Sequence, residues 1–533
     1  MLAASVKVRH IPVPLTRVSG RLSCCLRRAG VLAVLVASGA TSVMAQVCPT
    51  VTAAQDIDVR PDYTRTGKPF EGWGTALAWF ANVTGGYPDP VRNRLADLLY
   101  GEQGLRWNIA RYNIGGGNAP DIRPYLRKGA DLPGFWRRPA GASGQDWWRP
   151  DDAAMWDWSA DARQRWWLDA IRDRVDNKAL ILEAFSNSPP YFMTQSGLVS
   201  GNDNRLDNNI KPGASSAFAD YLVRVTARLE QSHGVHFRTL SPVNEPATPY
   251  WHAKNTQEGS HWTPEAQQEV IVATAKALGK AGLKTRVAAM DETDSLTFIR
   301  NWQAYTPETR ALIGQLNVHS YDTFGQTGVR DIASSSNIRL WMSENDLSPQ
   351  NVRQDFDDMR PPLALAERIT LDLKKLKPAA WVFWQAVENV SPDPQHSSNW
   401  GLIKMDYSVP DEGEHTITIS RKYYAMANFS RHIRPGYRLF EVADMDTTGA
   451  VSPDGKTVVF VHVNAGPYAR NLKLLRQNLP SMKVGQASHV ELYVTDAAHE
   501  AARLCGDNLT ASEMSVQVPP QSISTLVITQ APS

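Results

Sequence analysis

Thr239-Leu240-Ser241-Pro242-Val243-Asn244-Glu245-Pro246 is a short apolar, β-rich run that ends abruptly in a polar dipeptide and a proline. Read outward in both directions, it is the fourth of eight such runs. The others are Pro69–Ala76, Leu105–Ile114, Ala179–Phe185, Arg286–Met290, Leu316–Ser320, Arg339–Ser343 and Ala379–Trp384. Stretches of helical period separate them, clearest at Val91–Tyr100, Ala162–Val175, Ser215–Gln231, Pro264–Ala281 and Pro361–Leu376. Strands that alternate with helices predict a parallel sheet, and a count of eight favours closure into a (β/α)8 barrel over an open, doubly wound sheet. No GxGxxG follows a strand and no GxxxxGK[ST] occurs, so the dinucleotide and P-loop readings have no support. Beyond about residue 420 the pattern changes: Lys422–Ile433 reads as one more helix. Short alternating runs such as Thr457–Val463, His489–Val494 and Ser524–Ile528 follow, separated by turn residues. These predict a small antiparallel β-sandwich, to which the alternating segment Val51–Val59 adds a strand from the other end of the chain. The expected organisation is therefore 46–62 as a segment joining the sandwich, 63–420 as the barrel and 421–533 as the linking helix and sandwich.

The whole chain has 533 residues, 42% hydrophobic and 21% charged, which excludes a disordered, collagen-like or coiled-coil protein. Residues 1–45 hold Lys7, Arg9, Arg17, Arg21, Arg27 and Arg28 and no acid. A basic stretch, an apolar run over 29–40 and small residues before Gln46 read as a secretory signal, too short in its apolar part to span a bilayer. Without it, 50 basic residues face 54 acidic ones. A nucleic-acid binder would keep a basic excess, so no nucleic-acid partner is expected, nor a membrane. The protein is expected to be secreted or periplasmic, and a monomer. Cys48 and Cys505 remain after the signal, one near each end, and could pair in an oxidising compartment; two free thiols is the alternative. No CxxC, HExxH or Cys/His cluster is present, so neither a metal nor another cofactor is expected.

Catalytic side chains of such barrels sit at the C-terminal ends of strands. Strand four ends in Asn244-Glu245-Pro246 and strand seven in Ser343-Glu344-Asn345. Two glutamates facing one another across the barrel mouth suit a retaining glycosidase, in which one carboxylic acid protonates the leaving oxygen while the other carboxylate attacks the anomeric carbon. Arg111, at the end of strand two, is a candidate for holding Glu344 charged, or else a structural ion pair. Asn244 is placed to contact a sugar 2-hydroxyl. Trp384, at the end of strand eight, offers an apolar floor for a sugar ring, unless it is plain packing. The loop between strands two and three, about 115 to 160, carries Trp136, Trp147, Trp148, Trp156 and Trp158, which either shape outer subsites or pack the loop down.

The Asn244-Glu245-Pro246 and Glu344 pair, in a barrel with a sandwich made from both ends, resembles glycoside hydrolase family 30. Phe70-Glu71-Gly72-Trp73-Gly74, Ser188-Pro189-Pro190-Tyr191-Phe192-Met193 and the stretch Tyr423 to Gly436 (YYAMANFSRHIRPG) are similar to that family's motifs, in order along the chain. Within the family, GWGTALAWFA (72–81), RYNIGGG (111–117), SNSPPYFM (186–193) and QEGSHW (257–262) look most like the endo-β-1,6-galactanases. The resemblance implies Glu245 as acid/base and Glu344 as nucleophile. It implies Tyr321 beside the nucleophile with His319 below it, the latter otherwise a core histidine. It also implies sugar contacts from Asn118, Asn399 and Trp73. Many relatives carry Trp-Ser-Pro-Pro after strand three; here the residue is Asn187, which exchanges an apolar wall for a hydrogen-bonding one suited to an axial 4-hydroxyl. The implied activity is endo-β-1,6-galactanase on the side chains of arabinogalactan. The alternatives are a β-1,6-glucanase, xylanase or exo-acting β-glycosidase of the same fold, or, from another class, a non-catalytic carbohydrate-binding protein.

Overall fold

The computed structural model describes residues 55–475, 488–509 and 513–530. The predicted leader and Cys48 lie outside the described residues. Cys505 is buried in the sandwich and disulfide-bonded.

All eight predicted runs form strands, and they close into one parallel barrel. In order these are Gly72–Ala76, Ile109–Asn113, Ile181–Phe185, Phe237–Ser241, Arg286–Glu292, Ile313–His319, Arg339–Asn345 and Ala380–Phe383, hereafter strands one to eight. A parallel sheet covered on both faces needs apolar residues at nearly every position, and these segments are buried almost throughout. The helices between them follow ordinary end signals. Pro264–Ala281 starts at Thr263, whose hydroxyl accepts from the Ala266 N–H, and carries Pro264 at its first position. It stops at Gly282, whose φ of 67° is the left-handed conformation that a helix C-terminus favours in glycine.

The last part of the chain forms the expected sandwich. One sheet has seven strands, in the order Ala502–Leu509, Ser488–Thr495, Ser522–Gln530, Thr457–Asn464, Thr447–Val451, Arg438–Val442 and Pro61–Pro69. The other has three, with Gln55–Val59 pairing parallel to Arg470–Leu475, and Glu513–Val518 on its far side. Phe440, Phe460, Leu472, Val490, Val516 and Leu526 fill the space between them. The N-terminal contribution is larger than the sequence suggests. Pro61–Pro69 is a sandwich strand paired with Arg438–Val442, so the barrel begins after Pro69 and not at residue 63.

Helix Arg421–Ser430 joins the two parts and is bonded to both. Tyr423 Oη donates to the Leu98 carbonyl at 2.7 Å and Ser430 Oγ to that of Leu105 at 2.8 Å. On the sandwich side, Asn428 Nδ2 donates to Thr495 Oγ1 at 2.5 Å, and Thr525 Oγ1 donates to the Asn428 carbonyl at 2.9 Å. None of the described helices is long and apolar enough to cross a membrane.

Candidate active site

Strand seven delivers its glutamate through an irregularity. Val318 pairs with Met342 and His319 with Glu344, so Ser343 is an extra residue in the ladder. Such a bulge breaks the alternation of faces. Ser343 and Glu344 consequently both serve the barrel interior: Ser343 Oγ donates to Asp291 Oδ1 at 2.6 Å, and Glu344 Oε1 accepts from Tyr321 Oη at 3.0 Å. Glu245 lies just past strand four with a φ of 48°, an uncommon conformation for a side-chain-bearing residue. Two hydrogen bonds hold it there, from the Glu245 N–H to the Asp291 carbonyl at 2.8 Å and from Trp251 Nε1 to the Glu245 carbonyl at 2.9 Å.

The two glutamates meet as expected. A carboxylate oxygen of each, together with a ring nitrogen of His319, falls within 4.8 Å of the others. Two carboxyl groups this close leave no room for a water between nucleophile and sugar, which is the retaining arrangement. His319 is fully buried between them: Nδ1 donates to Glu245 Oε1 at 3.1 Å and lies 3.5 Å from Glu344 Oε1, while Nε2 faces Asp291 Oδ1 at 3.4 Å. Burial alone would lower its pKa, but the carboxylates of Glu344, Asp291 and Glu245 outweigh that and raise it to about 10. Glu245, His319 and Glu344 thus form one tight, buried acid–base cluster.

Arg111 extends this cluster downward. Its guanidinium is wholly buried, with Nε on Glu183 Oε1 at 2.8 Å, Nη2 on Asp291 Oδ2 at 2.8 Å and Nη1 3.7 Å from Glu344 Oε2. It is thus both of the things the sequence left open: a structural ion pair and a counter-charge to the nucleophile. Burial raises the Glu344 pKa to about 7; His319, Arg111 and the Tyr321 hydroxyl pull against this, and Glu245 adds to it. Four buried carboxyls, Glu183, Glu245, Asp291 and Glu344, therefore surround two cations, Arg111 and His319.

Asp291 is the residue the sequence reading missed. It also accepts from Ser343 Oγ and Asn317 Nδ2, and despite burial its pKa is held far below the carboxylate range by Arg111, then His319 and the Ser241 hydroxyl. Its signal was position alone, at the C-terminal end of strand five in Met290-Asp291-Glu292.

Asn244 and Asn187 are each only 4% exposed, and the Oδ1 of each has no partner among the described residues. A buried carbonyl oxygen without a partner at the end of a barrel strand is a candidate to receive a substrate hydroxyl. Trp384 meets Trp79 edge to face at 5.0 Å, and the Arg127 guanidinium covers Trp79 at 4.5 Å, which makes one aromatic wall over strands eight and one. Asn118 stands past the triple glycine, half-buried, and accepts from Tyr125 Oη at 3.3 Å. Two predicted contacts are not in the site. Trp73 points away from the barrel axis: its indole donates to the Ile433 carbonyl at 2.8 Å and packs on Phe70 and Phe429, because in Gly72-Trp73-Gly74 the glycines take the inner face. Asn399 spends its amide on backbone, accepting from Asp355 N and donating to the Arg353 carbonyl, and so pins two loops together. The five loop tryptophans pack. Trp156 stacks on Trp158 at 4.6 Å and on Tyr221 at 5.9 Å, and Trp147 lies against Phe192 at 4.6 Å.

The sequence profile of O-glycosyl hydrolase family 30 matches residues 56–345. An endo-β-1,6-galactanase from Hypocrea rufa is 31% identical over 435 residues, covering 78% of this chain and 82% of that one. This chain belongs to glycoside hydrolase family 30. An exo-β-1,6-galactobiohydrolase from Bifidobacterium longum is 29% identical over 548 residues, which cover 81% of this chain and 36% of that protein, so the family 30 chain here spans about a third of that relative. Among solved structures, an exported protein from Bacteroides fragilis superposes with a TM-score of 0.72 at 20% identity, over 88% of this chain and all of that one. A family 30 endoxylanase from Clostridium papyrosolvens does so with a TM-score of 0.60 at 20% identity, over 89% and 100%. Both share its fold of barrel and sandwich.

Proposed function

We propose that this family 30 protein is a retaining endo-β-1,6-galactanase that hydrolyses 1,6-linked galactan of arabinogalactan side chains. The observation that carries the mechanism is the carboxylate pair, Glu245 and Glu344, within 4.8 Å across His319. Glu344 attacks the anomeric carbon as the bond to the leaving oxygen breaks, and Glu245 gives that oxygen its proton. A glycosyl ester on Glu344 results. Glu245, now a carboxylate, takes a proton from water; the water oxygen attacks the same carbon and Glu344 is released. Tyr321, Arg111 and His319 hold the negative charge that Glu344 carries before attack and recovers on release.

The sugar assignment has two supports. The two relatives named above both act, by name, on β-1,6-galactan or its disaccharide units. Asn187 has a buried amide oxygen without a partner among the described residues where an indole would present an apolar face, and an axial 4-hydroxyl would satisfy it. No resident metal or organic cofactor enters this chemistry. The basic, apolar leader supports secretion or export to a periplasm, and the protein acts as a monomer in this reading.

The test is product analysis on unbranched β-1,6-galacto-oligosaccharides beside β-1,6-gluco- and xylo-oligosaccharides, with Glu344→Gln as the inactive control. Internal cuts in the galactan alone, with retained configuration, are expected. The Glu245→Ala variant should yield a β-glycosyl azide when azide is supplied, because a small anion needs no general base. Inverted product, or a Glu344→Gln variant of undiminished rate, would overturn the mechanism.

A further inference from the structure

Phe324 is the most exposed phenylalanine on the catalytic face, with 70% of its surface open, and it follows Tyr321 by only three residues. Its position is built. Asp322 Oδ1 accepts from the N–H groups of Thr323 and Phe324 at 2.5 and 3.1 Å, a turn that presents the ring outward. Leu296, itself 50% exposed, lies against the next residue: a Cβ on Gly325 would come within 2.8 Å of its Cδ2. Tyr250, 39% exposed, stands on the loop after Glu245 and rests on Trp251, whose indole is bonded to the Glu245 carbonyl.

These three side chains share one side of the mouth. Around the barrel, strands five and six separate the strand of Glu245 from that of Glu344 on the short arc, and strands eight, one, two and three do so on the long arc. Trp384 and Trp79 meet over the long arc, so in the hydrolase reading the sugar that Glu344 attacks is placed there. The bond that breaks points toward Glu245. Whatever follows the leaving oxygen then runs over the segments after strands four, five and six, which carry Tyr250, Leu296 (at the start of helix Ser295–Ala304) and Phe324. Pyranose rings present C–H faces that pair with aromatic rings, and water does not compete for that contact.

We propose that Phe324, with Leu296 beside it and Tyr250 on the loop after strand four, is the platform for the leaving-group sugars of a β-linked glycan chain. This rests on the hydrolase reading above and adds the part of the substrate that reading leaves unplaced. The test compares two substrates in the full-length protein: β-1,6-galactohexaose, which fills leaving-group positions, and β-galactosyl fluoride, whose leaving group is a single atom. For Phe324→Ala the expected result is a five- to tenfold loss of kcat/KM on the hexaose, mostly in KM, about what one aromatic contact contributes. The fluoride should be turned over within twofold of the unmodified rate, and Phe324→Tyr should keep most of the hexaose activity. An unchanged hexaose rate would overturn the proposal. So would an equal loss on both substrates, which would mean that Phe324 supports Tyr321 and Glu344 instead of the glycan. If the unmodified enzyme cuts a gluco- or xylo-oligosaccharide and leaves the galactan intact, the sugar assignment fails separately, and the comparison is decided with that glycan and its own fluoride.

Discussion

The Tyr321→Phe variant isolates one hydrogen bond on the nucleophile. Phenylalanine keeps the ring and its edge contact with His319, centroids 6.0 Å apart, and removes only the hydroxyl that donates to Glu344 Oε1 at 3.0 Å. A hydrogen bond to a buried charged group contributes about 1.5–3 kcal/mol, and about 1.4 kcal/mol is one pKa unit. Glu344, raised to about 7 by burial against the pull of its donors, should therefore rise a further one to two units. The nucleophile works only when ionised, so activity is lost as pH falls through that pKa. At pH 7 the ionised fraction would drop from roughly half to about 1–10%, a five- to fiftyfold loss that recovers as pH climbs toward 9. The assay is kcat/KM against pH with β-galactosyl fluoride, whose departure needs no proton, so the acid limb reports Glu344 without Glu245. An acid limb that stays where it was, with a loss equal at every pH, would refute this account of the tyrosine.

Arg111→Met removes the one guanidinium shared by Glu183, Asp291 and Glu344 in a dry interior, and breaking such pairs costs about 3–5 kcal/mol. Calorimetry should show Tm lower by about 3–5 °C. Glu292 is buried against the Ala247 N–H and the Asn301 amide, and burial raises its pKa to about 8. A carboxyl that holds its proton more tightly when folded lowers stability as pH rises from about 4.5 toward 8, so Glu292→Gln should raise Tm at pH 9 and change it little at pH 5. Asn187→Ala should lower kcat/KM on galacto-oligosaccharides about tenfold and on gluco-oligosaccharides much less, since only galactose offers an axial 4-hydroxyl; equal losses on both would remove the amide from sugar selection.

The barrel was readable because every one of its strands is covered on both faces, and a run such as Ile181-Leu182-Glu183-Ala184-Phe185 stands out against the polar loops around it. Pro61–Pro69 was not readable for the opposite reason. It is the edge strand of its sheet, six of its nine residues are exposed, and Asp62-Tyr63-Thr64-Arg65-Thr66-Gly67-Lys68 carries no apolar alternation. In the site, Glu245 and Glu344 could be found because a pair of strand-end glutamates has a chemical meaning. Asp291 could not, since a lone aspartate at a strand end is common and only the surrounding serines, Asn317 and Arg111 give it a role. Trp73 and Asn399 show the limit of transferring a motif by residue type. A tryptophan between two glycines in a barrel strand faces the helices, and an asparagine with a φ of 49° is doing backbone work. Ser343 was hidden because strict alternation cannot foresee a bulge.

The sandwich also sets an order of events for a growing chain. Pro61–Pro69 pairs with Arg438–Val442, so a strand made at the start waits while some 370 residues are added before its partner exists. At ordinary synthesis rates that is about 20 to 75 seconds. During that time the segment's own composition is its protection: arginine, lysine and two prolines make a poor template for another strand. The same polarity that hides this strand from a reader of the sequence hides it from wrong partners in the cell. Replacing Arg65 and Lys68 with valine would leave the finished fold little changed and would show its cost earlier, as aggregates of unfinished or newly released chains.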